Sequence, residues 1–131
     1  MIDHITLRVR SLAATRAFYT LALAPLGYRV GYDAVHDGVG VLGFGCEVVG
    51  PGFKIDTWFV DRTEPLSGPT HLCWKAATRE QVDAFHAAAL AAGGQDNGGP
   101  GVRAHYHPNY YGAFALDPDG NNVEAVCHLP A

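Results

Sequence analysis

The feature that most restricts the fold of this chain is an internal repeat. Residues of similar type recur 67 positions apart along a sequence of 131 residues. The matching pairs are His4 and His71, Ser11 and Thr78, Phe18 and Phe85, and Gly27 and Gly94. A repeat of this kind indicates two copies of one supersecondary unit, because neither copy is large enough to close a hydrophobic core comfortably by itself.

Each copy starts with a strand-like segment that leads into a helix-like segment. Ile2–Val9 and Thr70–Ala76 alternate apolar and polar residues, which is typical of a half-buried strand. Leu12–Leu23 and Arg79–Ala92 are rich in alanine and carry apolar stripes, which predicts two helices.

Signals for helix ends and turns mark the borders of these elements. Ser11 and Thr78 stand where an N-cap hydroxyl is expected, and Gln81 completes a capping box with Thr78. Glycine follows each helix-like segment, as at many helix ends. Three shorter strand-like segments then follow in each copy. They are Tyr28–Tyr32, Gly40–Phe44 and Phe53–Val60 in the first, and Gln95–Asn97 or Val102–His105, Tyr110–Leu116 and Asn122–Cys127 in the second.

This order of elements predicts an α+β fold made of two βαβββ modules. We expect one domain, with modules at residues 1–62 and 68–131 that are joined around Asp61–Pro69. Pairing the modules gives a curved, mixed, eight-stranded sheet with the helices outside. The 16 glycines agree with this interpretation, because curvature and bulges require them.

Composition argues against several classes of protein. Hydrophobic residues make up 48% of the chain and charged residues 17%, which argues against disorder. The net charge of -4 provides no basic surface, so we expect no nucleic-acid partner. No apolar run has the length of a membrane span, and no secretion signal is visible, so we expect no membrane partner. The three cysteines lack Cys-x-x-Cys spacing and suit reduced thiols, which favours a cytoplasmic location.

The first strand of each module carries a candidate metal ligand on its polar face. His4 and His71 are equivalent in the repeat, so a pseudo-twofold axis would bring them towards each other. Alternation in the last strand leaves Glu124 on the cavity side. A single histidine at a strand end is more often a surface residue than a ligand. Two repeat-related imidazoles and one carboxylate, however, favour a divalent-metal site with open positions.

At this point the sequence resembles a known superfamily over essentially its whole length. The segments that carry the resemblance are Ile2–Val9, Arg16–Tyr19, Pro69–Leu72 and Asp117–Glu124. They resemble the vicinal-oxygen-chelate superfamily, which contains glyoxalases, extradiol dioxygenases and bleomycin resistance proteins. Its metal ligands come from the first and last strands of each module. The resemblance therefore implies that His4, His71 and Glu124 are ligands.

The fourth ligand position stays open. The offset of 67 aligns Thr57 with Glu124, whereas apolar alternation favours a one-residue slip that aligns Asp56 with Glu124. With Asp56 the site resembles the four-ligand glyoxalase kind. With neither residue, His4, His71 and Glu124 form the two-histidine, one-carboxylate triad of an extradiol dioxygenase. We expect a divalent ion, Zn, Ni, Fe or Mn, whose identity the sequence does not determine, and the dioxygenase alternative requires Fe(II).

Six further residues are candidates for substrate binding. One group occupies the densest polar-aromatic stretch, where it is expected to line the cavity mouth or to form a turn that covers the sheet edge. We expect His105 and His107 to share one strand face, where they are able to bind a metal themselves. The other group consists of two cations that follow His4 and His71 by four residues. They suit an anionic substrate group or pairing with carboxylates. The residues are His105, His107, Tyr110 and Tyr111, and then Arg8 and Lys75.

Three functions are consistent with these residues. The first is a metal-dependent lyase or isomerase of the glyoxalase kind, which acts on a small substrate with two adjacent oxygens and uses Glu124 or Asp56 as catalytic base. The second is an Fe(II) extradiol dioxygenase that cleaves a catechol ring. The third is a resistance-type protein that binds an aromatic small molecule without catalysis. We expect a homodimer, and whether the modules pair within one chain or across the dimer stays open.

Overall fold

The computed structural model describes residues 2–50, 52–61 and 66–130. Within these ranges the chain forms two βαβββ modules, as the repeat predicts. Residues 62–65 of the predicted connection lie outside the described residues. No helix within these ranges has the length and apolar character that crossing a membrane requires. The elements are β1 Ile5–Val9, α1 Leu12–Ala22, a 3-10 turn Ala24–Leu26, β2 Arg29–His36, β3 Val39–Glu47, β4 Phe53–Asp61, β5 His71–Lys75, α2 Arg79–Ala91, β6 Gln95–Val102, β7 Tyr111–Leu116 and β8 Asn122–Cys127.

Each module forms a four-stranded mixed sheet with its first strand at an edge. The strand orders are β1-β4-β3-β2 and β5-β8-β7-β6. The edge strand pairs in parallel with the last strand of its module, and the other pairs are antiparallel. The predicted fold class is therefore confirmed, with the eight strands divided between two sheets.

The two helices pack on the sheets and contribute to a core that both modules share. The Ser11 side chain caps α1, and the capping box predicted for Thr78 and Gln81 is present at the start of α2. Phe18 and Phe85, the apolar repeat pair, are completely buried. Burying an aromatic side chain of this size stabilises the fold by about 2–3 kcal/mol.

A buried hydrogen-bond network joins α1 to the turn between β7 and β8. The Tyr19 hydroxyl donates to Asp117 Oδ2 at 2.6 Å. Asp117 Oδ1 accepts from the backbone N–H groups of Asp119 and Asn121, at 2.9 and 2.8 Å. Asn121 Oδ1 then accepts from the backbone N–H of Thr70, immediately before β5. The Asp-Pro-Asp-Gly turn therefore positions the residue that precedes His71.

The hairpin between β2 and β3 is longer than predicted. Asp37 and Gly38 both have positive φ, 51° and 76°, as a tight two-residue hairpin turn requires. Because the turn is this short, the ladder continues up to His36 and starts again at Val39.

The stretch that follows β6 forms turns and not the strand suggested for Val102–His105. The Tyr106 N–H donates to the Arg103 carbonyl at 2.9 Å, and the Tyr110 N–H donates to the His107 carbonyl at 3.0 Å. These bonds are local, so the backbone groups do not join a sheet ladder. The expectation that His105 and His107 share one strand face is therefore wrong.

A bulge interrupts β4 at the point where the repeat alignment was ambiguous. Thr57 pairs with Phe44 and Ile55 pairs with Gly45, so Asp56 is an extra residue without a partner in β3. A Cβ on Gly45 would lie 2.0 Å from a carbonyl oxygen of β4. Only glycine therefore fits beside this bulge.

Candidate metal and substrate site

The face of the second sheet opposite the helices collects the candidate polar residues. Cys73 of β5 and Phe114 of β7 both pair with Glu124 of β8. Since alternate residues share a face, His71 lies on the same side. The intervening residues of β8 are buried in the core, as the alternation predicts. We call the surface formed by His71, Cys73, Phe114 and Glu124 the open face.

Glu124 and His71 form the central contact of the open face. Glu124 is only 1% exposed, and its Oε2 lies 3.0 Å from His71 Nε2. The other imidazole nitrogen, Nδ1, donates to the backbone carbonyl of Asn122 at 3.0 Å. This bond fixes the ring and directs Nε2 towards the carboxylate.

Tyr110 holds the second oxygen of the same carboxylate. Its hydroxyl donates to Glu124 Oε1 at 2.6 Å. Burial, followed by this hydrogen bond, raises the pKa of Tyr110, so the phenol keeps its proton at neutral pH. A Cβ on Gly112 would lie 2.9 Å from Oε1, so glycine at this position leaves room for the carboxylate.

Cys73 lies beside Glu124 but is not prepared for nucleophilic attack. Burial, followed by the charge of Glu124, raises the pKa of the Cys73 thiol to about 12. The thiolate is the reactive form of cysteine, and it is scarce at neutral pH when the pKa is this high.

A cleft of about 370 Å³ between the modules adjoins this site. His71 and Lys75 line it from the second module, and Asp56 and Tyr28 line it from the first. The Asp56 carboxylate accepts hydrogen bonds from the hydroxyls of Tyr28 and Thr57, both at 2.8 Å. Burial and then the Asp56 hydrogen bond raise the pKa of Tyr28, which keeps the phenol a donor. The proposed fourth ligand is therefore held by two hydroxyls of its own module.

His4 lies outside the central contact. Its Nδ1 is 3.0 Å from Asp3 Oδ1, and its side chain is 58% exposed. Asp3 in turn bonds Lys54 Nζ at 2.7 Å, and these contacts with the cation and His4 lower the pKa of Asp3. The chain therefore brings His71 together with Glu124, while His4 is occupied by an exposed surface cluster.

The donor geometry fits a metal ion at two of the four proposed ligands. Imidazole nitrogen and carboxylate oxygen are both zinc ligands, and His71 and Glu124 supply one of each, with Nε2 and Oε2 3.0 Å apart. His71 also has the backbone hydrogen bond that is usual for a ligating histidine. Among the residues that the structure describes, no three His, Cys, Asp or Glu side chains are arranged to hold an ion. The four-ligand site of His4, Asp56, His71 and Glu124 therefore stays a prediction.

The polar-aromatic stretch gives its residues different surroundings. His107 Nε2 lies 2.7 Å from His128 Nδ1, and the Asn109 N–H donates to His107 Nδ1 at 3.1 Å. The His105 ring lies tilted against the Tyr106 ring, with centroids 4.2 Å apart. Of the four candidates in this stretch, Tyr110 contacts Glu124 directly.

The remaining candidates lie outside the contact between His71 and Glu124. Tyr111 is on the helix side of β7, where its hydroxyl donates to Asp83 of α2 at 2.7 Å. The backbone of Arg8 bonds Ser67 through both its N–H and its carbonyl, at 2.9 and 3.1 Å. Lys75 is exposed and lines the cleft.

Two residues near the site escaped the sequence analysis as functional candidates. Asn122 supplies the carbonyl that orients His71, and Arg103 lies over the ring of Phe114. Alternation back from Glu124 was a usable signal for Asn122, which lies two residues earlier in β8.

Comparison with known proteins identifies the family. The model of the glyoxalase/bleomycin resistance protein/dioxygenase superfamily matches residues 1–125, so the chain belongs to this superfamily. No curated protein sequence matches the chain. Among solved structures, it is similar to a glyoxalase/bleomycin resistance protein from Albidiferax ferrireducens T118, with 27% identity, a TM-score of 0.72 and coverage of 95% of this chain and 97% of the other.

Two further structures share the fold at lower identity. A glyoxylase/bleomycin resistance protein/dioxygenase domain from Frankia sp. EAN1pec is 15% identical, with a TM-score of 0.72 and coverage of 98% of both chains. Glyoxalase I from Zea mays is 18% identical, with a TM-score of 0.72 and coverage of 99% of this chain and 45% of the other. The chain thus corresponds to about half of that larger enzyme.

Proposed function

We propose that the chain is a divalent-metal-dependent enzyme of the glyoxalase kind, with its site on the open face of the second module. The observation that carries the proposal is the contact of 3.0 Å between His71 Nε2 and the buried Glu124 Oε2. A buried carboxylate is costly unless it has a functional or structural partner. Here its partner is the His71 imidazole, which the Asn122 carbonyl orients and which borders the cleft between the modules.

The proposed reaction moves a proton between two neighbouring carbon atoms of a small substrate with vicinal oxygens. A bound Zn, Ni, Fe or Mn ion supplies Lewis-acid stabilisation of the two oxygens. Glu124 removes the proton from the carbon beside one oxygen and returns it to the adjacent carbon, while the hydroxyl proton passes from the first oxygen to the second. Tyr110 orients the carboxylate through its hydrogen bond, and the buried surroundings limit access of water to it.

A homodimer supplies the missing donor in this proposal. Structural and catalytic zinc sites usually have at least three protein ligands, and the described part of one chain brings two together. His4 is exposed just before the edge strand of the first module, where a second copy is able to reach it. We therefore propose that His4 of a second copy completes the site beside His71 and Glu124.

A second candidate function is non-catalytic binding of an aromatic molecule. The specific observation in its favour is that the described part of one chain holds no group of three metal donors. Trp58 and Tyr32 lie together on the first sheet, with ring centroids 5.4 Å apart, and offer an aromatic surface. Sequestration needs such a surface and no ion.

Metal titration of protein purified without chelators separates the two functions. We expect the wild type to bind a divalent ion, and His71→Ala to lose at least 10-fold in affinity, because one of two converging donors is removed. His36→Ala is the matched control, since this exposed histidine contacts Tyr32 on the other module. A His71→Ala variant that stays metal-loaded and active would contradict the proposed function, and a wild type that binds no ion would favour sequestration.

Substrate assays then separate the enzymatic alternatives. The proposed enzyme isomerises a hemithioacetal of an α-oxoaldehyde without consuming oxygen. Oxygen uptake with a catechol, dependent on Fe(II), would instead identify an extradiol dioxygenase.

A further inference from the structure

Arg103 lies on the open face, close to the proposed site. Its backbone N–H donates to the carbonyl of Tyr110 at 2.7 Å, and Tyr110 bonds Glu124. Its guanidinium carbon lies 5.6 Å from the centre of the Phe114 ring. Phe114 pairs with Glu124 across the strands, so the cation and the carboxylate belong to the same face of the sheet.

A glycine-rich strand makes room for this guanidinium. Arg103 Nη2 donates to the Gly99 carbonyl at 2.6 Å. A Cβ on Gly101 would lie 3.0 Å from Nη1, and a Cβ on Gly98 would lie 3.5 Å from Nη2. The guanidinium therefore rests on backbone that carries no side chains, and a larger residue at position 101 would displace it.

The charge of Arg103 is not balanced by a carboxylate of the described chain. Within those residues no acidic oxygen lies within 4.0 Å of its guanidinium, whereas other cations do have such partners. Those paired cations are Arg10, Arg16, Arg29 and Lys54. A guanidinium has five N–H donors in a planar fork, and the Gly99 carbonyl accepts from one of its nitrogens. The remaining donors suit a carboxylate, which a guanidinium binds through two parallel hydrogen bonds.

One aromatic ring connects this cation to the proposed metal donors. Phe114 stacks on the His71 imidazole, with centroids 6.3 Å apart and an interplanar angle of 28°. The same ring contacts the Arg103 guanidinium. We infer that Arg103 binds a carboxylate of the substrate while the two adjacent oxygens of that substrate lie at His71 and Glu124. This inference rests on the proposed function, and it identifies the substrates as small acids with a short chain between the two groups.

Matched hydroxamates test the inference by equilibrium binding, because a hydroxamate presents two adjacent oxygens to a metal ion. The probes are the monohydroxamates of succinic, glutaric and adipic acid, each compared with the uncharged alkyl hydroxamate of equal length. Calorimetry on metal-loaded wild type should show about 10-fold tighter binding of the acid at the fitting length. Arg103→Met should remove this preference without weakening the neutral probe, and Arg103→Lys should keep part of it. Arg16→Met, which removes a cation already paired with Asp33, should behave as wild type.

Each contrary result has a distinct meaning. Equal affinity of wild type for acid and neutral probes would overturn the carboxylate subsite and leave the proposed function standing, because both hydroxamates still bind. A preference for the acid probe that survives in Arg103→Met would also overturn the carboxylate subsite. An equal loss of affinity for both probes in this variant would overturn it too, because that result indicates a merely structural role for Arg103. If metal-loaded wild type binds neither probe, the proposed function fails and this inference fails with it.

Discussion

At the residue scale, Glu124 shows how the chain satisfies and directs a buried carboxylate. One oxygen meets His71 and the other accepts from Tyr110, at 3.0 and 2.6 Å. An ionised group in the interior is tolerated when its oxygens are bonded, and is strongly destabilising when they are not. The two partners therefore stabilise the fold and fix the direction of the carboxylate at the same time.

Tyr110→Phe tests this double role. The variant removes the donor to Glu124 Oε1, so the unfolding free energy should fall by about 1–3 kcal/mol, measured by urea denaturation. Metal affinity should fall by about 10-fold, since a group that orients a ligand is lost. Tyr106→Phe removes an exposed hydroxyl from the neighbouring turn and is the control. Unchanged stability and unchanged metal affinity would show that Tyr110 has no part in holding Glu124.

The sequence predicts the direction of a site residue where a regular element positions that residue. Alternation along β8 predicts the direction of Glu124, because a regular strand fixes the face of every second residue. The bond between Asp56 and Tyr28 follows from a bulge, and the placement of Arg103 follows from local turns. Neither feature has a period that a sequence pattern reveals.

At the scale of elements, the bulge at Asp56 depends on one glycine. Gly45→Ala would place a methyl group 2.0 Å from a backbone oxygen, and backbone cannot rotate away as a side chain does. We expect a loss of about 3 kcal/mol or more in unfolding free energy. Gly68→Ala is the matched control, because its added Cβ would meet nothing within 4 Å. Equal stability of the two variants would mean that the pairing of β3 with β4 adjusts without cost.

Helix ends are predictable from sequence where the signals are local. The caps at Ser11 and Thr78 are formed by side chains within three residues, so the prediction is confirmed at both helices. The turn region 104–109 is harder to predict from the sequence. Its aromatic residues favour a strand, whereas Pro108 and local hydrogen bonds favour turns. Local turn bonding prevailed over strand propensity.

At the scale of the whole molecule, Tyr19 connects the two modules. Its ring contacts Phe59 of the first module and Trp74 of the second, with centroids 4.6 and 6.1 Å apart. Its hydroxyl donates to the buried Asp117 of the second module. The internal repeat predicts two modules with a shared core, but not this contact, because the residue equivalent to Tyr19 is His86, which contacts Asp96 within its own module.

Tyr19→Phe should reveal the contact through the pH dependence of stability. Burial, followed by the negative charge of Asp117, raises the pKa of Tyr19 well above its usual value of 10.0. The folded protein therefore keeps the phenol proton while the unfolded chain loses it, so this stabilisation is complete below about pH 9 and declines as the pH rises above 10.

At neutral pH the variant should be about 1.5–3 kcal/mol less stable than wild type, because a hydrogen bond to a buried carboxylate is lost. By pH 11 the difference should have narrowed by about 1.4 kcal/mol, since only the wild type loses stability through this group. Urea denaturation of both proteins from pH 7 to 11 measures this difference, with Tyr106→Phe as control. A difference that stays constant over the range would show that the phenol of Tyr19 ionises equally in the folded and unfolded chains, and that its bond to Asp117 does not couple the modules.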